Sequence, residues 1–218
     1  MNGSKTRRHI LVDMALLKDT IKKYKVILGS ASPRRSFLLK GLDFEFTVET
    51  NGDIPEDYNP EINPEQVPVM LSQRKSRMFH RAIEKDELLI TADTLVICNG
   101  KILGKPSNRD QAIAMLSDLS GNRHTVITGV TLRTSDKEES FSASTNVFFK
   151  ELSSQEIEYY VDEYSPYDKA GSYGAQDWIG YTAIKSIEGS YFNVVGLPVE
   201  MLSEKLMGFV GDTDNISI

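Results

Sequence analysis

The stretch Lys25–Arg35, KVILGSASPRR, decides the fold class. KVILG is a short apolar run of strand type, and SASPRR breaks it. Ser32 followed by Pro33 predicts a helix N-cap with proline at the first helical position, and a helix through about Lys40 that Gly41 stops. The backbone N–H groups and the dipole of such a helix start form an anion site. Arg34 and Arg35 in the first turn oppose that dipole unless an anionic ligand offsets them. The alternative is a Ser-Pro cap carrying two solvated arginines.

Working outward, helices and strands alternate without repeats or a linker. Leu16, Leu17, Ile21 and Tyr24 place a short helix over Met14–Tyr24, after a polar start at 1–13. FEFTVE at Phe44–Glu49 alternates as a strand. Asn51–Glu65 is a polar loop. Asn63, Pro64 and Gln66 then start a helix expected to reach Glu84, with Val67, Leu71, Met78 and Ala82 on its buried stripe. LLITA at Leu88–Ala92 is a buried strand ending at Asp93. Asn108 and Gln111 cap a helix whose Ala112, Met115, Leu116 and Leu119 share a face. Thr125–Arg133 and Ser140–Lys150 pair as a hairpin, with Phe141, Ala143, Thr145, Val147 and Phe149 on one face. Ser153 and Glu156 form a capping box. Residues 165–198 read as Gly-rich and strand-like, Glu200–Met207 as a last helix, and Gly208–Ile218 as a polar tail. The whole is one α/β unit or two tightly joined lobes. We divide it into an N-terminal extension at 1–23, a single α/β domain at 24–209 and a tail at 210–218.

Composition excludes several classes. With 218 residues, 40% hydrophobic and 26% charged, the chain is an ordinary globular sequence, neither disordered nor fibrous. The net charge of −6 splits into +5 over residues 1–25 and −11 over the rest. An acidic body argues against a general nucleic-acid partner. No apolar run approaches the ~20 residues of a membrane span, and His9–Leu17 makes a poor signal peptide. The single cysteine, Cys98, forbids an internal disulfide and a Cys-based zinc site, so the expected location is the cytoplasm.

Phosphate-loop, dinucleotide-fingerprint, H-E-x-x-H and G-x-S-x-G motifs are absent. None of His9, His80 and His124 sits where a catalytic histidine is needed; His80 is expected on the solvent side of a helix. Three clusters remain. The first is Ser30–Arg35. The second is Thr91-Ala92-Asp93-Thr94, an ionisable residue at the carboxyl end of an apolar strand, where α/β sheets bind ligands. An aspartate there holds a divalent cation, accepts a proton, or merely caps a turn. The third is cationic: Lys75 bordering an apolar stripe, Lys105 in Gly104-Lys105-Pro106, and Lys169 in Asp168-Lys169-Ala170-Gly171. Singly such lysines are often snorkelling. Together with one aspartate they suit a polyphosphate with a metal.

In order and spacing, these stretches, with Ser172-Tyr173-Gly174-Ala175-Gln176, Ile187-Glu188-Gly189-Ser190-Tyr191 and Val195-Gly196-Leu197-Pro198, resemble the Maf family of nucleotide pyrophosphatases over about residues 24–207. The resemblance implies an α/β fold with an elongated, twisted mixed sheet flanked by helices and a cleft between two lobes, similar to inosine triphosphatases. It implies hydrolysis of a nucleoside triphosphate to the monophosphate and pyrophosphate with Mg²⁺ or Mn²⁺, and it allows a homodimer. By the same resemblance, Asp93 accepts the proton and binds metal with Glu56, while Ser30, Arg34, Arg35, Lys75, Lys105 and Lys169 hold the triphosphate. Arg34, Thr94 and Gln176 look like the branch acting on dTTP and UTP. The branch acting on 7-methyl-GTP has Trp and Gln where this chain has Arg34 and Thr94. A carboxamide at Gln176 offers donor and acceptor to a pyrimidine edge. Phe37, Pro55 and Asp177-Trp178 depart from the family pattern. A nucleotide-binding regulator of cell division without turnover is the other reading, against which the intact Asp93 argues.

Overall fold

Seven strands form one mixed sheet in the order β2-β1-β3-β5-β6-β7, with β4 paired to β3. The computed structural model describes residues 16–50, 52 and 54–211. The strands are β1 (Lys25–Leu28), β2 (Phe46–Val48), β3 (Glu87–Cys98), β4 (Lys101–Leu103), β5 (Arg123–Arg133), β6 (Glu138–Phe149) and β7 (Ile184–Glu188). The helices are α1 (Leu17–Thr20), α2 (Pro33–Lys40), α3 (Val67–Arg77), α4 (Arg109–Leu119), α5 (Ser154–Tyr164), α6 (Trp178–Ala183), α7 (Tyr191–Val195) and α8 (Val199–Gly211). Strand β1 is parallel to β2 and β3; the remaining pairs are antiparallel. The fold is therefore mixed α/β with helices flanking the sheet. Among the described residues no helix is long and apolar enough to cross a membrane.

The expected end of β3 at Asp93 is wrong, and the error matters. Thr94–Cys98 continues the strand because these residues are β-branched or apolar, and β5 pairs with it from Leu89 through Cys98. Asp93 thus lies mid-strand, opposite Gly129. On the other edge of β3, β1 lies beside Glu87–Ile90 and β4 beside Val96–Cys98. Thr91–Leu95 has no strand neighbour there, and the loop leaving β1 turns into that gap.

Helix α3 also differs. It stops at Arg77 rather than Glu84, and Met78 and Ala82 are exposed while Phe79 and Ile83 are buried. The chain turns at Met78, so the apolar positions beyond it follow a different geometry from the helical stripe. Residues 165–198 hold three short helical segments, a 3-10 turn at Ala170–Ser172 with α6 and α7, and only β7 is strand. The expected first helix is one α-turn and a 3-10 turn at Ile21–Lys23, with Ile21 buried in the main core. The last helix runs on to Gly211 rather than Met207, because Phe209 and Val210 are buried, so the expected polar tail does not begin at Gly208; the proposed start at Met14, residues 1–13 and residues 212–218 lie outside the described residues. The hairpin, the Asn108 cap and the Ser153–Glu156 capping box form as expected, and all five named β6 positions are buried.

Candidate active site

Helix α3 crosses the sheet at very short range. A Cβ on Gly129 would stand 2.3 Å from Pro68 C and Val69 N, so only glycine lets this backbone pass. Ser72 seats the helix further: its hydroxyl lies 2.8 Å from Thr131 Oγ1, and Thr91 Oγ1 donates to its carbonyl at 2.7 Å. Alternation along β3 turns Thr91, Asp93 and Leu95 toward α3. Lys75, two turns along from Pro68, thereby reaches Asp93 and donates to Oδ1 of its carboxylate. Its ammonium also donates to Glu56 at 2.9 Å.

Opposite α3, the loop Gly29–Ser32 and the start of α2 close the unpaired edge of β3. Ser32 is the N-cap residue, as expected, but its hydroxyl makes no cap bond. Arg35 is not a solvated arginine. It donates to Ala92 O at 2.8 Å, Gly196 O at 3.0 Å, Thr94 Oγ1 at 3.0 Å and Ser30 Oγ at 3.3 Å. One guanidinium thus ties the exposed edge of β3 to α2 and to the end of α7. Burial lowers its pKa from the ordinary arginine value. Thr94 continues the link, 3.0 Å from Thr128 Oγ1, which in turn donates to Asn193 O.

These elements enclose a cleft of about 730 Å³. Ser30, Arg34, Arg35, Glu56, Lys75, Asp93, Thr94, Lys105 and Gln176 all line it. Lys169 does not. Its side chain is nearly buried and turns to Asp168 at 2.7 Å and Asp177 at 3.7 Å. Apart from Arg35, the cations are matched by carboxylates. Lys75 meets Asp93 and Glu56, Lys105 meets Glu56 at 3.3 Å, and Arg34 meets Asp168 at 2.6 Å. Burial works to raise the Glu56 carboxyl, yet Lys75 and Lys105 outweigh it and hold it below the usual range. Gln176 Oε1 is buried without a hydrogen-bond partner.

Several contributors were not singled out from sequence. Gly129 carries no side chain and Asp168 was passed over beside Lys169. Tyr173, in the cleft wall, has its hydroxyl 2.7 Å from His124 Nε2. His124 is buried behind that wall, and burial pulls its pKa to about 4. It is therefore neutral near pH 7 and remote from the acidic pair, in keeping with the absence of a histidine signature. His80 is exposed but stands past the end of α3, 3.5 Å from Glu49. Phe37, one of the departures, points to solvent. Asp177 accepts from Tyr160 Oη at 2.8 Å, and Tyr160 Oη accepts from Gly174 N at 3.1 Å, bracing the turn that carries Gln176.

The site can therefore hold a compact anion of several charges beside two carboxylates that share an ammonium. Comparison with known proteins agrees on the family. A protein of Porphyromonas gingivalis named dTTP/UTP pyrophosphatase is 50% identical over 193 residues, covering 88% of this chain and 97% of the relative. One of Flavobacterium johnsoniae with the same name is 41% identical over 195 residues, covering 89% and 100%. Among solved structures, a HAM1 protein from Coxiella burnetii gives a TM-score of 0.44 at 12% identity, covering 85% of this chain and 99% of that one. The model of the Maf-like proteins matches residues 25–209, and with relatives this similar over nearly their full length, the chain belongs to the Maf-like protein family.

Proposed function

We propose that this protein hydrolyses dTTP and UTP to the nucleoside monophosphate and pyrophosphate, with Asp93 as the proton acceptor. The observation that carries this reading is the Asp93–Lys75–Glu56 contact at the floor of a cation-lined cleft, in a chain with pyrophosphatase relatives. Water attacks the α-phosphorus. A new P–O bond forms to the water oxygen, the bond to the oxygen bridging the α- and β-phosphorus breaks, and pyrophosphate leaves with that oxygen. Asp93 takes the proton released by water. Its side chain is only 8% exposed, so the carboxylate is held rather than freely rotating. Lys75, Lys105 and Arg34, which line the cleft, compensate the charge on the phosphoryl oxygens, the dominant load in such transfers, and Lys169 adds positive charge from behind Asp168. Arg35 and Ser30 fix the loop that receives the triphosphate.

The donor set fits a hard divalent cation only in company with substrate. Asp93 and Glu56 offer oxygen ligands alone, and the described residues contain no group of three His, Cys, Asp or Glu able to hold an ion. Mg²⁺ is commonly bound by one or two carboxylates plus substrate phosphates, so Asp93 and Glu56 would hold Mg²⁺ or Mn²⁺ as it arrives with the nucleotide. When bound, it supplies further neutralisation of phosphoryl charge.

The base assignment rests on Gln176. Gln176 lines the cleft and its Oε1 has no partner within the protein; turned into the cleft, the amide offers an acceptor for the ring N–H shared by uracil and thymine. We place the reaction in a reducing cytoplasm on the lone, buried Cys98. Incubating the protein with dTTP, UTP and 7-methyl-GTP in Mg²⁺ or Mn²⁺ and measuring pyrophosphate tests the reading. Release from the two pyrimidine nucleotides is expected. No release from any nucleotide defeats the enzyme reading, and release from 7-methyl-GTP alone defeats the base assignment.

A further inference from the structure

Asp168 lies on the loop after α5, across the cleft from the start of α2. Its carboxylate accepts from Arg34 Nη1 at 2.6 Å and from Lys169 Nζ at 2.7 Å. Its main-chain carbonyl takes a second Arg34 nitrogen at 3.5 Å. The exposures are unequal: Asp168 is 58% exposed, against 24% for Arg34 and 12% for Lys169. The cations are thus set into the walls, and the anion between them is the most exposed of the three. Asp177, the other carboxylate near Lys169, is anchored differently, by the Tyr160 hydroxyl. The contacts of the Asp168 carboxylate are to Arg34, which lines the cleft, and to Lys169, its chain neighbour just behind the lining.

We propose that Asp168 is a placeholder anion, occupying the position between Arg34 and Lys169 that a phosphate group takes on binding, so that ligand entry requires the carboxylate to swing out. The inference rests on the triphosphate reading of the cleft. Burial works to raise the Asp168 carboxyl, but Lys169 and Arg34 hold it at about 2, so the competitor is charged throughout the neutral range. A site whose open form is only partly populated binds every ligand more weakly by that fraction. A triphosphate has further contacts at Lys75 and Lys105 to offset the loss. Pyrophosphate, the shorter product, has fewer, and the returning carboxylate helps to clear it. Asp168 then sets how much binding energy any phosphate ligand must supply in order to stay.

The test is calorimetric binding of inorganic pyrophosphate to the wild-type protein, Asp168→Asn and Asp168→Ala. Both variants are expected to bind about fivefold more tightly, a change of about 1 kcal/mol. Product inhibition by pyrophosphate should strengthen by the same factor. Asp162→Asn, which removes an equal charge from a pair with Arg109 outside the cleft, should leave binding unchanged. If Asp168 merely braces the loop, both variants bind pyrophosphate equally or more weakly and melt earlier; that overturns the proposal. Equal tightening by Asp162→Asn overturns it too, because net charge alone would then be responsible. Binding is read without turnover, so a wild-type protein that releases no pyrophosphate from dTTP or UTP defeats the function and not the placeholder.

Discussion

Gly129→Ala tests how the acidic pair is assembled. The added Cβ would stand 2.3 Å from Pro68 C and Val69 N and 2.4 Å from Pro68 O, where ordinary contact begins at 3.4 Å. All three are backbone atoms, so no side-chain rotation relieves the overlap. Helix α3 must retreat by about 1 Å, or β5 must bend away from β3 by as much. Overpacking of this kind costs about 1–3 kcal/mol and sometimes more. Lys75 rides on the same helix, and its ammonium is carried from Asp93 by a similar distance. Misplacement by about 1 Å at a reacting centre is worth about a hundredfold in rate. We expect a denaturant midpoint lowered by the equivalent of about 2 kcal/mol at unchanged slope, and turnover of UTP reduced about a hundredfold. Gly208→Ala is the control. It lies within α8 with nothing inside 4 Å of its Cβ, and should gain up to about 1 kcal/mol without changing turnover. A Gly129→Ala protein as stable and as active as wild type would refute the view that this close approach sets the site.

Asp93→Asn keeps the shape and hydrogen-bonding reach of the side chain but not its basicity. Its turnover should fall by about 10²–10⁴ while the affinity for a non-hydrolysable UTP analogue stays within a few-fold, and full activity would remove Asp93 from the role of base. His124 titrates at about 4 instead of the ordinary 6.5, because burial disfavours the charged ring. As pH falls from 6.5 toward 4, the unfolded chain takes up a proton that the folded ring refuses, so stability declines by up to about 3 kcal/mol and then levels off. The stability gap between wild type and His124→Gln should therefore narrow between about pH 7 and about pH 5; a constant gap would contradict the buried neutral ring.

Much of this was legible in the sequence because the signals were local. The Ser32-Pro33 start, the Asn108 and Ser153 caps and the β5–β6 hairpin each depend on a few adjacent residues, and each formed. The cleft residues were reachable through their motifs, although Arg35 turned out to brace the protein's own edge carbonyl as well as the cleft. What failed depended on distant partners. Nothing near Asp93 announces that β5 will hold it mid-strand, since a charge after an apolar run reads as an ending. The turn at Met78 breaks a stripe that periodicity alone would extend. The short helices after residue 165 read as strands because they are too short to show a helical period and their Tyr, Phe, Ile and Val residues carry strand propensity. Asp168 acquires meaning only beside Arg34, 134 residues away.

The central claim is attack on the α-phosphorus with Asp93 taking the proton. Hydrolysing UTP in water enriched with heavy oxygen, then weighing both products, tests it directly. The account predicts one heavy oxygen in the monophosphate and none in the pyrophosphate. Heavy oxygen in pyrophosphate, or release of orthophosphate in its place, would contradict it.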